Sequence, residues 1–191
     1  KFINSNINIY SDISAIMKTY KFDYVFHYAA LVGVERTQKY PLKVLDDIYG
    51  IKNILELSRD TGVKRVFYSS SSEVYGEPVE IPQNERTTPL NSRIPYAIVK
   101  NVGESFLKSF NREYGLNYTI LRFFNTYGPL SNNDFVITRF IHKAKIDEDL
   151  AIYGDGNQTR SFMYVDDNIQ FTSKILEEEL FVNDIVNVGS D

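Results

Sequence analysis

Lys64-Arg65-Val66-Phe67-Tyr68-Ser69-Ser70-Ser71 is a β-branched and aromatic run that ends in small hydroxyl residues. It follows a helical pattern that Pro41 opens and Gly62 closes, with Val44, Ile48, Ile51 and Leu55 on one face. Upstream of that helix lies a second apolar run, Asp23-Tyr24-Val25-Phe26-His27-Tyr28-Ala29-Ala30. Strand, helix, strand at this spacing is a right-handed βαβ crossover, so the fold class is α/β with a parallel sheet. Ala29 and Ala30 end their strand in small residues. Small side chains there either admit a ligand at the carboxyl end of the sheet or allow a helix to pack closely.

Outward from this unit, Asn6 to Tyr10 reads as a first strand and Ser11 to about Tyr20 as an amphipathic segment with Ile13, Ile16 and Met17 at helical spacing. Ser72 to Pro95 is a polar loop carrying Pro78, Pro82, Pro89 and Pro95, long enough to be read as functional. A helix from Pro95-Tyr96 runs through Val99, Gly103, Phe106, Phe110 and Tyr114 and stops at Gly115. Asn117 to Phe124 is a strand running into the turn Asn125-Thr126-Tyr127-Gly128-Pro129. A helical pattern from Asp134 includes Phe135, Ile137, Phe140 and Ile141, and Ile152 to Ser161 is rich in turns. A last helix starts around Asp166-Asp167 and ends in Glu177-Glu178-Glu179, and Val186 to Gly189 reads as a final short strand. Three parallel strands thus end in small or polar residues, and their ends should line one crevice.

With 191 residues, 43% of them hydrophobic, and a net charge of -4, the chain suits one soluble domain or a domain plus part of another. The mildly acidic balance gives no reason to expect nucleic acid as a partner, and there is no basic run for a membrane surface. No apolar stretch approaches the ~20 residues of a membrane helix. Cysteine is absent, which is compatible with a cytoplasmic setting, and the two histidines, His27 and His142, are too far apart in sequence to suggest a metal site.

Tyr96 and Lys100 are four positions apart, so on a helix they project from one face. Such a pair is either an ordinary amphipathic turn or an acid/base unit. Bringing a tyrosine from its usual pKa of ~10 to neutrality takes roughly 4 kcal/mol of preference for the phenolate, and adjacent positive charge is the natural source.

Six short motifs occur in order: Asp12-Ile13; His27-Tyr28-Ala29-Ala30; Ser70-Ser71-Ser72-Glu73-Val74-Tyr75-Gly76; Pro95-Tyr96 with Lys100; Arg122-Phe123-Phe124-Asn125-Thr126-Tyr127-Gly128-Pro129; and Tyr164-Val165-Asp166-Asp167. Together they resemble the extended short-chain dehydrogenase/reductase family over nearly the whole chain, and within it the NAD-dependent nucleotide-sugar epimerases, dehydratases and decarboxylases. The resemblance implies a Rossmann-like parallel sheet over residues 1–128 and part of a small nucleotide-sugar-binding region over 129–191. It implies Tyr96 as the acid/base acting on a sugar hydroxyl, Lys100 as the residue that binds the nicotinamide ribose and lowers the tyrosine pKa, and Ser71 as the hydrogen-bonding partner of the reacting oxygen. Asp12 and Ile13, Ala29 and Ala30, Ser69, Ser70 and Phe123 fall, with Tyr96 and Lys100, on cofactor-binding positions, and Asn125 and Arg160, with Ser71, on substrate-binding ones. Arg160 has a plain surface charge as its alternative reading.

Three departures sharpen the resemblance. The 4,6-dehydratases carry Thr-Asp-Glu where this chain has Ser71-Ser72-Glu73, so the acid for water elimination is replaced by Ser72. The 4-epimerases usually lack a carboxylate at Glu73, whereas the UDP-glucuronate decarboxylases have a hydroxyl residue, serine and glutamate, as here. Glu73 is thus a catalytic candidate, with a backbone-capping loop residue as the alternative. Asp47 stands where the family commonly has asparagine, three residues before Gly50. The chain also contains no glycine-rich strand-to-helix turn to cradle a pyrophosphate, so weak or absent NAD binding is expected of these 191 residues alone. A non-catalytic ligand-sensing or assembly module on the same fold, and an NADP-dependent keto-reductase, are the competing readings. The resemblance further implies a homodimer at full length.

Overall fold

A computed structural model describes residues 1–152 and 154–190. Tyr153, inside the expected turn-rich segment, lies outside them. Four parallel strands, β1 (Tyr24–His27), β2 (Arg65–Ser71), β3 (Asn117–Phe123) and, after two short strands, β6 (Asp184–Val188), form the main sheet in the order β1-β2-β3-β6. Its register aligns Val25 with Val66, Phe67 with Thr119 and Arg122 with Asn187.

The expected α/β fold is therefore present, and alternation along the strands shows why. Val66, Tyr68, Tyr118 and Ile120 join one core, which includes Ile13 and Met17 of helix α1 (Tyr10–Tyr20), Ile51, Ile54 and Leu55 of α4 (Asp47–Thr61), and Val99 and Leu107 of α5 (Pro95–Tyr114). Phe67, Leu121, Val186 and Val188 form the opposite core with Ile175 of α7 (Val165–Glu177). Each fully buried aliphatic or aromatic side chain contributes about 1.5–3 kcal/mol through removal from water. The sheet is held by both faces, so neither set of helices is dispensable.

Several expectations are corrected. Asn6 to Tyr10 is not a strand: Asn6 Oδ1 accepts the Asn8 N–H at 3.0 Å, the Ile9 N–H donates to the Asn6 carbonyl, and the chain turns directly into α1. Side-chain turn chemistry at asparagine wins over a short apolar alternation that finds no neighbouring strand. The helix expected over 41–62 is two, α3 (Pro41–Leu45) and α4, separated by Asp46. An unexpected short helix, α2 (Val34–Lys39), precedes them. Residues 125–127, expected as a turn, form strand β4 (Asn125–Tyr127), paired in parallel with β5 (Phe162–Tyr164) in a second small sheet. Helix α6 (Val136–Lys145) occupies the helical pattern that begins at Asp134. Among the described residues, no helix is long and apolar enough to cross a membrane.

Candidate active site

β2 delivers three consecutive serines to the carboxyl end of the sheet, and the three part company there. The Ser69 carbonyl accepts the Lys100 ammonium at 2.6 Å. The Ser70 hydroxyl is buried and donates to Glu104 Oε1 at 2.6 Å. Ser71 caps the single 3-10 turn Ser72–Tyr75, its Oγ accepting the Glu73 N–H at 3.2 Å, as serine at a helix start should. Glu73 itself is exposed.

Helix α5 brings the other half. Ile94 is held extended (ψ 141°) as the residue before a proline must be, and Pro95 starts the helix with its fixed φ. Tyr96 and Lys100 follow on the inward face, with the Lys100 Nζ 5.5 Å from the Tyr96 ring centroid. Tyr96 shares a side-chain hydrogen bond with Ser71. Gly103 lets α5 come this close, since a Cβ there would lie 2.2 Å from the Tyr68 hydroxyl oxygen. The tertiary structure thus places Ser71, Glu73, Tyr96 and Lys100 at one end of the sheet.

The electrostatics differ from the expected lowering of the tyrosine by lysine. Burial pushes the Tyr96 phenol up to about 12, and the Glu73 and Asp47 carboxylates add to this against the opposing bond from Ser71. Lys100, only 2% exposed, is brought down to about 8 by desolvation, with Asp47 partly resisting. The Lys100 ammonium is given to the Ser69 carbonyl, and it is not among the groups that shift the Tyr96 phenol. The phenol therefore rests protonated, raised by burial with Ser71 alone opposing.

Behind this pair, His27 stacks on Tyr68 with ring centroids 5.7 Å apart. Burial, followed by the Lys100 charge, lowers the His27 pKa from 6.5 to about 4. The folded state then binds fewer protons than the unfolded chain between those values, so stability rises with pH across that window and is flat above it. About 3 kcal/mol is at stake. Urea midpoints should fall as pH drops from about 6.5 towards 4, and His27→Phe should remove that component of the slope; an unchanged slope in the variant would refute the assignment.

The cofactor-side residues fall in two groups. Asp12, Ala29 and Ala30 line a cleft of about 510 Å³ together with segment 4–8 and Asp47. Ile13 is instead a core residue, 8% exposed. Asp47, the departure noted above, accepts the Leu31 N–H at 2.7 Å and so ties the loop after β1 to the start of α4. Phe123 sits in register with Ser71 and packs edge-on against Tyr28. These residues fit one side of a dinucleotide: small side chains at a strand end, a carboxylate at the rim and a lysine at the sheet end. Among the described residues, no cluster of three or more His, Cys, Asp or Glu could hold a metal ion.

Asn125 lies two positions beyond Phe123, exposed, with its side-chain amide donating to the Ser161 carbonyl at 3.0 Å. Arg160, also exposed, is the residue before Ser161 and gives one guanidinium N–H to the Thr159 carbonyl. Pairing of β4 with β5 therefore brings the two substrate candidates side by side. What sequence reasoning missed is the buried pair Glu104 and Arg122, with Tyr75 and Asn187 attached. The available signal was an acid at Glu104, one turn after Lys100 on the buried face of an amphipathic helix.

Comparison with known proteins adds relatives to this geometry. The NAD dependent epimerase/dehydratase family matches residues 1–189. The chain is 37% identical over 195 residues to a putative UDP-glucose 4-epimerase of Methanocaldococcus jannaschii, covering 100% of this chain and 62% of that protein. It is 37% identical over 177 residues to a UDP-N-acetyl-alpha-D-glucosaminuronate decarboxylase of Bacillus cytotoxicus, covering 88% of this chain and 54% of the relative. The solved UDP-glucose 4-epimerase of Thermotoga maritima with UDP-glucose superposes with a TM-score of 0.92 at 32% identity, over 99% of this chain and 62% of that one. The chain thus spans little more than half the length of the proteins it matches.

Proposed function

This chain belongs to the NAD-dependent epimerase/dehydratase family, and from that membership we propose that it carries the acid/base half of an enzyme that modifies a nucleotide sugar through a transient keto-sugar. The reaction is most like that of a UDP-glucuronate decarboxylase or a 4-epimerase. The observation that carries this reading is the convergence of Ser71, Tyr96 and Lys100, with the Glu73 carboxylate exposed close enough to raise the Tyr96 pKa. A module without chemistry has no physical need for that trio.

The roles follow from position. Tyr96 moves a proton to or from the sugar hydroxyl, Ser71 steadies the reacting oxygen, and Lys100 holds the ribose of the dinucleotide. NAD, when bound, supplies the hydride acceptor and a positively charged ring. Glu73 supplies an exposed carboxylate near Tyr96, and Ser72 in place of an acid disfavours dehydration. Asn125 and Arg160 meet the diphosphate, for which a guanidinium is well matched. Asp12, Ala29 and Ala30 line the path of the dinucleotide, while the glycine turn that would grip its pyrophosphate is not in these 191 residues, so the chain alone binds NAD weakly. A cytoplasmic homodimer is the setting we propose; for the second copy, the groove along α5 lined by Ile98, Val102 and Phe106 together with Asn101, Ser105 and Ser109 offers a mixed apolar and polar surface.

The test is incubation of the full-length protein with NAD and a panel of UDP-, GDP- and dTDP-sugars, followed by mass spectrometry. Loss of carbon dioxide from a hexuronate, or interconversion of epimers without mass change, is expected. Loss of water would contradict the reading of Ser72, and no conversion of any sugar would favour the non-catalytic module.

A further inference from the structure

The helix of Tyr96 and Lys100 and the turn of Ser71 and Glu73 are attached to one buried ion pair. Arg122 on β3 and Glu104 on α5 are 2% and 0% exposed, and they bond through two contacts, Nε to Oε1 at 2.9 Å and Nη2 to Oε2 at 2.7 Å. Glu104 lies one helical turn beyond Lys100, and its Oε1 also takes the hydroxyl of Ser70, the residue before Ser71. The remaining guanidinium nitrogen of Arg122 donates to the Tyr75 hydroxyl at 2.8 Å and to the Glu85 carbonyl at 3.3 Å. Tyr75 closes the turn that Ser71 opens, and its hydroxyl donates to Asn187 of β6 at 2.8 Å. Asn187 in turn holds the long loop, its N–H reaching Glu85 Oε1 and its amide the Gln83 carbonyl.

A buried pair of this kind gains little stability over well-packed apolar side chains of the same volume, because desolvation cancels most of the attraction. What it does impose is geometry: a bidentate fork accepts only one relative placement of its two partners. Here the fork joins the helix of Tyr96 and Lys100 to both ends of the turn that bears Ser71 and Glu73. We propose that the Glu104–Arg122 pair is a positioning device that fixes the Ser71–Glu73 turn against Tyr96, acting through Ser70 at one end of the turn and Tyr75 at the other. The proposal rests on the reading of Ser71 and Tyr96 given above. Neither member of the pair reaches the crevice, so both act through their neighbours.

Ser70→Ala and Tyr75→Phe each remove one attachment while leaving the fork and the reacting groups in place. Amide hydrogen exchange reads the turn directly through Glu73, whose N–H is held by Ser71, and Gly76, whose N–H is held by the Glu73 carbonyl. In each variant these two amides should exchange about tenfold faster while the Leu121 amide in the middle of β3 keeps its rate. In the full-length enzyme kcat should fall about tenfold with KM unchanged. Unmoved exchange at the turn, acceleration spread equally to Leu121, or a loosened turn with wild-type kcat would each overturn the proposal. If the wild-type enzyme converts no nucleotide sugar, the proposed reaction fails on its own, and the exchange measurements still decide whether the pair holds the turn.

Discussion

Tyr96→Phe in the full-length protein should lower kcat by about a thousandfold, the range expected for loss of a positioned acid/base. The substitution keeps the ring, which is packed against the buried core of α1, α4 and α5, and deletes only the hydroxyl bonded to Ser71. With the phenol raised to about 12, folded and unfolded chains both hold that proton below about pH 9. Stability in that range should therefore change by no more than about 1 kcal/mol, the value of one hydrogen bond. Parallel measurement of turnover and thermal unfolding checks both halves, and activity within about threefold of wild type would remove Tyr96 from its role.

Arg122→Met should cost about 3–5 kcal/mol of folding free energy, because it leaves the buried Glu104 carboxylate without its partner. Against a total of about 5–15 kcal/mol for a typical domain this is close to the margin of folding. The surface pair Lys52 and Glu56, at 3.7 Å and with the glutamate only half-buried, offers the contrast, since its removal should be worth about 0.5 kcal/mol or less. Replacing both partners, in Glu104→Leu with Arg122→Met, should recover most of the loss, because no charge is then stranded. Denaturant midpoints at constant slope decide the matter, and a single-variant cost under about 1 kcal/mol would show that water reaches the pair.

The same pair shows where sequence reading stopped. Arg122 was visible as part of a motif, and Glu104 was a charge one turn after Lys100 on the same helix, but nothing local says that they meet. Asp47 likewise stood out as a departure, and only folding reveals that it holds the Leu31 amide at 2.7 Å. The segment before α1 misled because alternation over a few residues competes with asparagine turns, and the competition is settled by which neighbours exist. The fate of the three serines was also hidden. They are adjacent in sequence, yet one meets Lys100, one Glu104 and one Tyr96.

By itself the sequence determined the parallel α/β class, the limits of β2, α5 and β3 to within a residue or so, and the presence of Tyr96 and Lys100 on one helix face. All of these depend on periodicity or on spacings of a few residues, which survive without tertiary contacts. Only the tertiary structure decided the protonation of the site and what holds it in place. A phenol rises to about 12 and a lysine falls to about 8 because burial removes water from them. Burial, like the meeting of Arg122 with Glu104 and of Tyr75 with Asn187, is a property of distant segments brought together.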